Sequence, residues 1–393
     1  MNAVKYIKGD RVIWMVILIL SVISLLAVYS SSQSLAFRSQ NNSTTYYLIK
    51  QMIILTLGLF VIILTHNIPY RYFSKLAQIL LIISIPLLII TLLSGRDVNS
   101  ARRWLDVPGT GFTIQPSDFA RIALIMFVAR ILSQRQDRLK NYKEVFLPVI
   151  LAVIAVCFLI VPANFSTAAI LMITSLVLMF IGRVPVKYLL VFATGMALLF
   201  VIFLQIMKVL DVEGRRSTWG NRIESFLNDE DESVNNYQVN RAKVAIVNGG
   251  LVGKGPGNSV QKEKLPQANS DFIYAIIIEE YGLIGGLIVL ALYLWLLFRT
   301  SLIVRKSNRT FAAFVSIGLC LMIVFQAMIN MAVAVNLVPV TGQPLPFISS
   351  GGSSVLFTSI ALGVILSVSW GIEIDNKNMQ EEKIIAEQEE NYE

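Results

Sequence analysis

Ten apolar runs decide what this sequence can fold into, at about 12–28, 48–65, 76–93, 115–132, 146–161, 165–181, 187–208, 272–298, 311–337 and 350–370. A hydrocarbon core takes about 20 helical residues to cross. Within it every backbone N–H and C=O must be satisfied inside the chain, which leaves helices as the economical answer. The composition agrees, with 55% of 393 residues hydrophobic, 15% charged and a mean hydropathy of +0.67. A soluble domain carries roughly 25% charged residues. The expected fold is therefore an all-α, polytopic membrane protein of about ten transmembrane helices. Residues 1–371 should form one transmembrane domain, and 372–393 a polar, Glu-rich, solvated and partly disordered tail. The fifth and sixth runs are short and separated only by a hinge at 162–164, which reads as two tight spans rather than one re-entrant pair.

The net charge of +8 would suggest nucleic acid in a soluble chain. In a membrane protein it asks instead on which side Lys and Arg lie. Ten spans put both termini on one side. Making that side the cytoplasm places Arg71, Lys75, Arg135, Arg138, Lys140, Lys143, Arg183, Lys187, Arg299, Arg305, Lys306 and Arg309 inside. The opposite choice leaves mainly Arg38, Arg96, Arg102 and Arg103 in short cytoplasmic loops. Both termini are therefore expected in the cytoplasm, with one long extracytoplasmic loop at about 209–271 between the seventh and eighth spans. The first run follows a short basic segment without a convincing cleavage site, so it reads as an uncleaved span rather than a signal peptide.

The inventory restricts the chemistry. Cys157 and Cys320 sit in apolar runs and read as free thiols, which leaves no disulfide framework and no Cys-based metal site. His66 is the single histidine, so His-based metal clusters and triads are excluded. Carboxylates, Lys, Arg, hydroxyls and backbone remain.

Three polar, Gly/Pro-rich segments at 94–115, 211–270 and 338–354 face one compartment and suggest an extracytoplasmic site. Asp271 stands where the second gives way to the apolar run at 272. A carboxylate there is either an N-cap or a base whose pKa the low dielectric raises. Glu279 and Glu280 lie about 12 Å further along, where acids need a protein, water or cation partner. The bland alternative is a structural pair with an Arg of a neighbouring helix. Arg102 and Arg103, beside Trp104, fit either a cradle for a lipid pyrophosphate or snorkelling to ordinary headgroups. Asp118 and Arg121 can pair at i, i+3, or form an anion site. Gln326 and Asn330 share a helix face and read as interhelical hydrogen-bond formers. The glycines of 249–257 make a turn-rich stretch that is no Walker motif. Gly282, Gly285 and Gly286 allow close packing or a bend.

Three stretches carry a resemblance: SARRWLDVPGTGFTIQPSDFARIAL at 100–124, GPGNSVQKEKLPQANSDFIYAIIIEEYGLIGG at 255–286, and VPVTGQPLPFISSGGSS at 338–354. They resemble the SEDS family (shape, elongation, division and sporulation), across nearly all ten spans. GNSVQK at 257–262 is similar to the division branch rather than the elongation branch. The resemblance implies a peptidoglycan glycosyltransferase that polymerises lipid II at the outer face of the bacterial plasma membrane, at the septum. Its implied partners are a class B penicillin-binding transpeptidase and other divisome membrane proteins. No organic cofactor is implied, though a divalent cation, Mg or Mn, could accompany the pyrophosphate.

The family's essential aspartate falls on Asp271, its Arg before Trp on Arg103, its basic residue in QPSE-x-x-K on Arg121, and its acidic pair on Glu279 and Glu280. With Arg102, these basic and acidic positions are the expected substrate contacts. The sequence departs from the family pattern at Asp118, where Glu is usual, at Arg121, where Lys is usual, and at Ser350, where Tyr is common. It also has Asn164, Phe165 and Ser166 where many relatives have PDxGT. Two readings compete with a polymerase: a lipid-precursor flippase, with polar groups distributed across the bilayer, and a non-catalytic scaffold. An elongation polymerase is the nearest alternative within the enzyme class.

Overall fold

Every one of the ten apolar runs is helical in the computed structural model of the protein, which describes residues 8–32, 44–98, 101–106, 109, 113–138, 141–209, 226, 234–265 and 267–390. The helices are α1 (Arg11–Ser31), α2 (Thr44–Asn67), α3 (Tyr70–Ser94), α4 (Pro116–Gln134), α5 (Leu147–Ile160), α6 (Phe165–Ile181) and α7 (Val186–Val209). After them come α8 (Val234–Gly249), α9 (Ile273–Arg305), α10 (Thr310–Ala334) and α11 (Gly352–Glu390). Among the described residues, seven helical segments are long and apolar enough to cross a membrane: α1, α2, α3, Tyr142–Ile160, α9, α10 and α11. The segment Tyr142–Ile160 is α5 with the single π turn that precedes it. Phe165–Ile181 and Val186–Leu198 are shorter apolar helices. α4 is the polar exception, carrying Asp118, Arg121 and Arg130.

Local chemistry sets the helix starts. Asp10 caps α1, its Oδ1 accepting from Val12 N at 2.9 Å and Ile13 N at 3.2 Å. Pro116 opens α4 at a position where its missing N–H costs nothing. Asn164 caps α6 by accepting from Thr167 N at 3.3 Å.

α10 and the apolar part of α11 form the centre: α10 packs on α4, α6, α9 and α11, and α11 packs on α2. α2 and α3 present apolar outer faces, including Phe60, Ile82 and Leu93. One end of the bundle gathers charged groups. Asp10 also accepts from Arg299 Nε at 2.7 Å, Arg71 pairs with Asp375 at 3.2 Å, and Lys8 lies over the Trp370 ring.

The structure departs from the sequence reading in three places. Residues 94–115 hold a small antiparallel sheet of β1 (Arg96–Val98), β2 (Ala101–Asp106) and β3 (Thr113–Ile114), in the order β1-β2-β3. The long loop contains α8, which buries Val239, Ala242 and Ala245 and packs on α9; most of 210–233 lies outside the described residues. The tail after Trp370 is not coil but a continuation of α11 to Glu390, because its Glu, Lys, Gln and Ala are good helix formers.

Candidate active site

α9 is two helices joined at Gly282, whose φ of 70° and ψ of −176° are not helical. In a straight helix, Tyr274 and Gly286 would stand about 18 Å apart, beyond a tyrosine's reach. Yet the Tyr274 hydroxyl donates to the Gly286 carbonyl at 3.2 Å, so the two halves fold back on each other. The first half, Ile273–Glu280, is buried throughout, and outward-facing aliphatic side chains begin at Leu283 and Ile284. The run at 272–298 is therefore not one straight span.

Breaking a helix strands backbone donors and acceptors, and the glycine-rich stretch supplies their partners. Lys254 N donates to Glu279 O at 3.0 Å and Gly255 N to Glu280 O at 2.9 Å. In the other direction, Leu283 N donates to Gly250 O at 2.9 Å and Ile284 N to Leu251 O at 3.3 Å. Contact this close excludes side chains: a Cβ on Gly253 would lie 2.3 Å from Glu280 O, and one on Gly282 would lie 2.2 Å from Leu251 O. Residues 250–255 are laced into the break.

Both glutamates serve the same break. Glu279, fully buried, accepts from Lys254 Nζ at 3.2 Å, Val260 N at 3.2 Å, Gln261 N at 3.1 Å and the Ser259 hydroxyl. Glu280, also buried, accepts from the Ser30 hydroxyl at the end of α1. In this structure protein donors hold both carboxylates. Their partners are a loop lysine, hydroxyls and backbone rather than an Arg of a neighbouring helix.

Asp271 lies one residue outside the first half of α9, whose N-cap position falls on Phe272, a residue without a capping side chain. It is half-buried, and its Oδ2 lies 3.6 Å from where a Cβ on Gly342 would project. Gly342, at φ 65°, is thus a close neighbour of the carboxylate. Three bonds hold the surrounding backbone: Asn330 Nδ2 donates to Asp271 O at 2.8 Å, Ser349 Oγ to Ser270 O at 2.6 Å, and Ser350 N to Asn269 O at 2.9 Å.

The segment 341–350 is the hub of the site. Asn330 Nδ2 also donates to Gln343 O at 2.7 Å, and Gln326 Nε2 donates to Pro344 O at 2.9 Å. Gln343 Nε2 reaches Thr167 Oγ1 on α6 at 2.9 Å. Gln326 Oε1 accepts from Arg121 Nη1 at 2.8 Å, and Arg121 Nη2 pairs with Asp118. Arg103 Nε donates to Ala163 O at 2.6 Å, directly before the α6 cap. Arg103 and Arg121 are thereby connected to Asp271 through α6, α10 and the hub.

The cations differ in what they can offer. Arg103 is half-buried and lines a cleft with Thr91, Leu92, Ser117 and Ala163. Arg121 is 5% exposed. The pairing of Asp118 and Arg121 foreseen at i, i+3 is present, and it offsets much of the guanidinium's field. Arg102 stands apart, donating to Leu93 O at 2.8 Å and so closing the end of α3. Among the described residues no three His, Cys, Asp or Glu side chains gather as a metal cage.

Sequence reasoning undervalued Asn330, Gln326 and Gln343. Two amides on one face of an otherwise apolar α10 were the available signal; Gln326 does bond across to Arg121 of α4, but the amide nitrogens of both donate to backbone carbonyls of loops.

Comparison with known proteins bears on all of these segments. Residues 10–372 match the family model described as a cell cycle protein, that of FtsW, RodA and SpoVE. The chain is 31% identical over 371 residues to the probable peptidoglycan glycosyltransferase FtsW of Trichlorobacter lovleyi, covering 93% of this chain and 94% of that one. It is 32% identical over 371 residues to stage V sporulation protein E of Bacillus subtilis, with 93% and 98% covered. A solved chain from a peptidoglycan synthase complex that coordinates polymerization and crosslinking is similar at a TM-score of 0.72 and 25% identity, over 92% of this chain and 97% of that chain. RodA of Thermus thermophilus shares the fold at a TM-score of 0.66 and 23% identity, over 92% and 96%. The match runs from the cap of α1 into α11 and takes in the broken helix and the hub, and the chain is a membrane protein of the FtsW/RodA/SpoVE cell cycle family.

Proposed function

We propose that this protein is a peptidoglycan glycosyltransferase that polymerises lipid II into glycan strands, in septal synthesis during cell division. The observation that carries the reading is the placement of Asp271. Its half-buried carboxylate stands against Gly342, just ahead of the buried half-helix that carries Glu279 and Glu280.

The 4-hydroxyl of an acceptor sugar attacks C1 of a glycan joined to undecaprenyl pyrophosphate. A C1–O4 bond forms, the bond from C1 to the pyrophosphate oxygen breaks, and its electron pair leaves with the pyrophosphate. Asp271 takes the hydroxyl proton as general base. A pyrophosphate needs no proton to depart, so one base suffices in a chain with a single histidine. Arg103 faces the growing negative charge. Arg121, paired with Asp118, steadies Gln326 and the hub behind the site. A divalent cation, if the reaction uses one, would supply charge neutralisation at the pyrophosphate, and titrating EDTA against Mg2+ and Mn2+ tests this.

The active site faces outward from the bacterial plasma membrane, and the partner is a class B penicillin-binding transpeptidase, in a divisome assembly. The likeness to a chain of a polymerising and crosslinking complex supports that pairing. Purified with its partner, Asp271→Asn should fold and melt as wild type but lose at least about 100-fold in lipid II polymerisation. Undiminished polymerisation by that variant would end the assignment. Translocation of lipid II in liposomes without polymerisation would instead favour a flippase.

A further inference from the structure

We propose that Asn330 is the positioning residue for Asp271, fixing the carboxylate through the backbone rather than touching substrate. The inference rests on the reading of Asp271 as the base. Asn330 lies on α10 and is 1% exposed. Its Nδ2 donates both hydrogens to carbonyls, Asp271 O at 2.8 Å and Gln343 O at 2.7 Å. The amide must be oriented this way, because the flipped form would set Oδ1 against two carbonyl oxygens. One nitrogen thus ties the residue bearing the base to the residue that follows Gly342, a close neighbour of the carboxylate.

A purely structural role fits less well. An interhelical glue residue would bond across to another helix, whereas both partners here are loop carbonyls. Moreover, Asn330 Oδ1 is buried without a protein partner, at a cost of about 1–3 kcal/mol. An apolar residue at 330 would fill the same space without that cost. The two donated bonds are what the position gains from an amide. Asp271 needs such a fixture because it precedes the helix and therefore lacks the helix's own backbone ladder.

The test uses the full chain with its transpeptidase partner in liposomes, lipid II as substrate, and two variants. Asn330→Ala removes both donors. Asn330→Asp keeps the shape but sets oxygen against the carbonyls. Both should lose roughly 100-fold in turnover at saturating lipid II, as expected for a displaced base, with KM within about twofold of wild type since no substrate contact is removed. Hydrogen–deuterium exchange should rise locally, in peptides covering 267–276 and 341–346, and stay unchanged in α1 to α3. Should Asn330→Ala fail to fold, Asn330→Ser, which keeps a shorter donor, is read by the same measurements.

Wild-type turnover in Asn330→Asp overturns the proposal, as does a rise in KM at unchanged turnover. So does exchange that rises evenly throughout the molecule, which marks a residue holding the bundle rather than the base. Asp271→Asn, run in parallel, keeps the two readings apart. If it polymerises at the wild-type rate, the base assignment fails, while the local exchange result still reports whether Asn330 holds the segment.

Discussion

At the residue scale, Glu279 has four protein donors closed around one buried carboxylate. Removing the acid leaves those donors unmet, so Glu279→Ala should destabilise the protein by about 3 kcal/mol, read as a lower thermal midpoint in detergent. Glu279→Gln, which still accepts but loses the charge, should fall between wild type and Ala. Arg103 makes a different case: Arg103→Lys keeps a charge but not the planar fork. It should recover less than about a tenth of the polymerisation lost by Arg103→Ala, measured as kcat/KM with lipid II. Residue identity alone announced Asp271, the acidic pair and the arginines. It did not announce what each one touches. Arg102 and Arg103 are neighbours in sequence, yet one closes α3 and the other reaches the α6 cap. The alternation of side chains along β2 decides that, and the strand was unreadable in a short Gly/Pro-bearing loop.

At the scale of elements, the broken α9 and its lacing loop form one unit, and two glycines separate its causes. Gly253 and Gly257 both adopt positive φ, 88° and 78°, so alanine at either pays the left-handed penalty of about 1–2 kcal/mol. Only Gly253 has a backbone oxygen, Glu280 O, in the space a Cβ would take; nothing lies within 4 Å at Gly257. Thermal melting of Gly253→Ala should therefore drop well below that of Gly257→Ala. Equal losses would mean that lacing does not limit stability. The sequence shows an apolar run with glycines but not where it breaks, because the break depends on backbone partners thirty residues upstream. The same logic explains α8: its pattern reads as polar loop until α9 is present to cover Val239, Ala242 and Ala245.

Across the whole molecule, the all-α membrane class and the order of the apolar helices were legible, since apolar length is a local property. The arrangement of charged ends was legible too: Lys8, Arg71 and Arg299 share an end with both described termini. Placing that end in the cytoplasm is testable by labelling. Cys157 and Cys320 are buried free thiols, which gives a low background for a membrane-impermeant maleimide. In intact cells Asn258→Cys should label and Asn308→Cys should not; permeabilised cells should label both. The reverse pattern would invert the topology.

The break at Gly282 also bears on how the chain enters a bilayer. The half-helix before it is about 13 Å long, too short to span, and it carries the two glutamates. The half that follows, 283–305, is about 34 Å long and has no acid in it. An insertion machinery can therefore commit the second half to lipid by hydrophobicity alone. The first half then docks against an already assembled interior, with its acids meeting Ser30, Lys254 and Ser259 rather than hydrocarbon. Asp271, just ahead of that first half, would be among the last groups of the fold to reach its place.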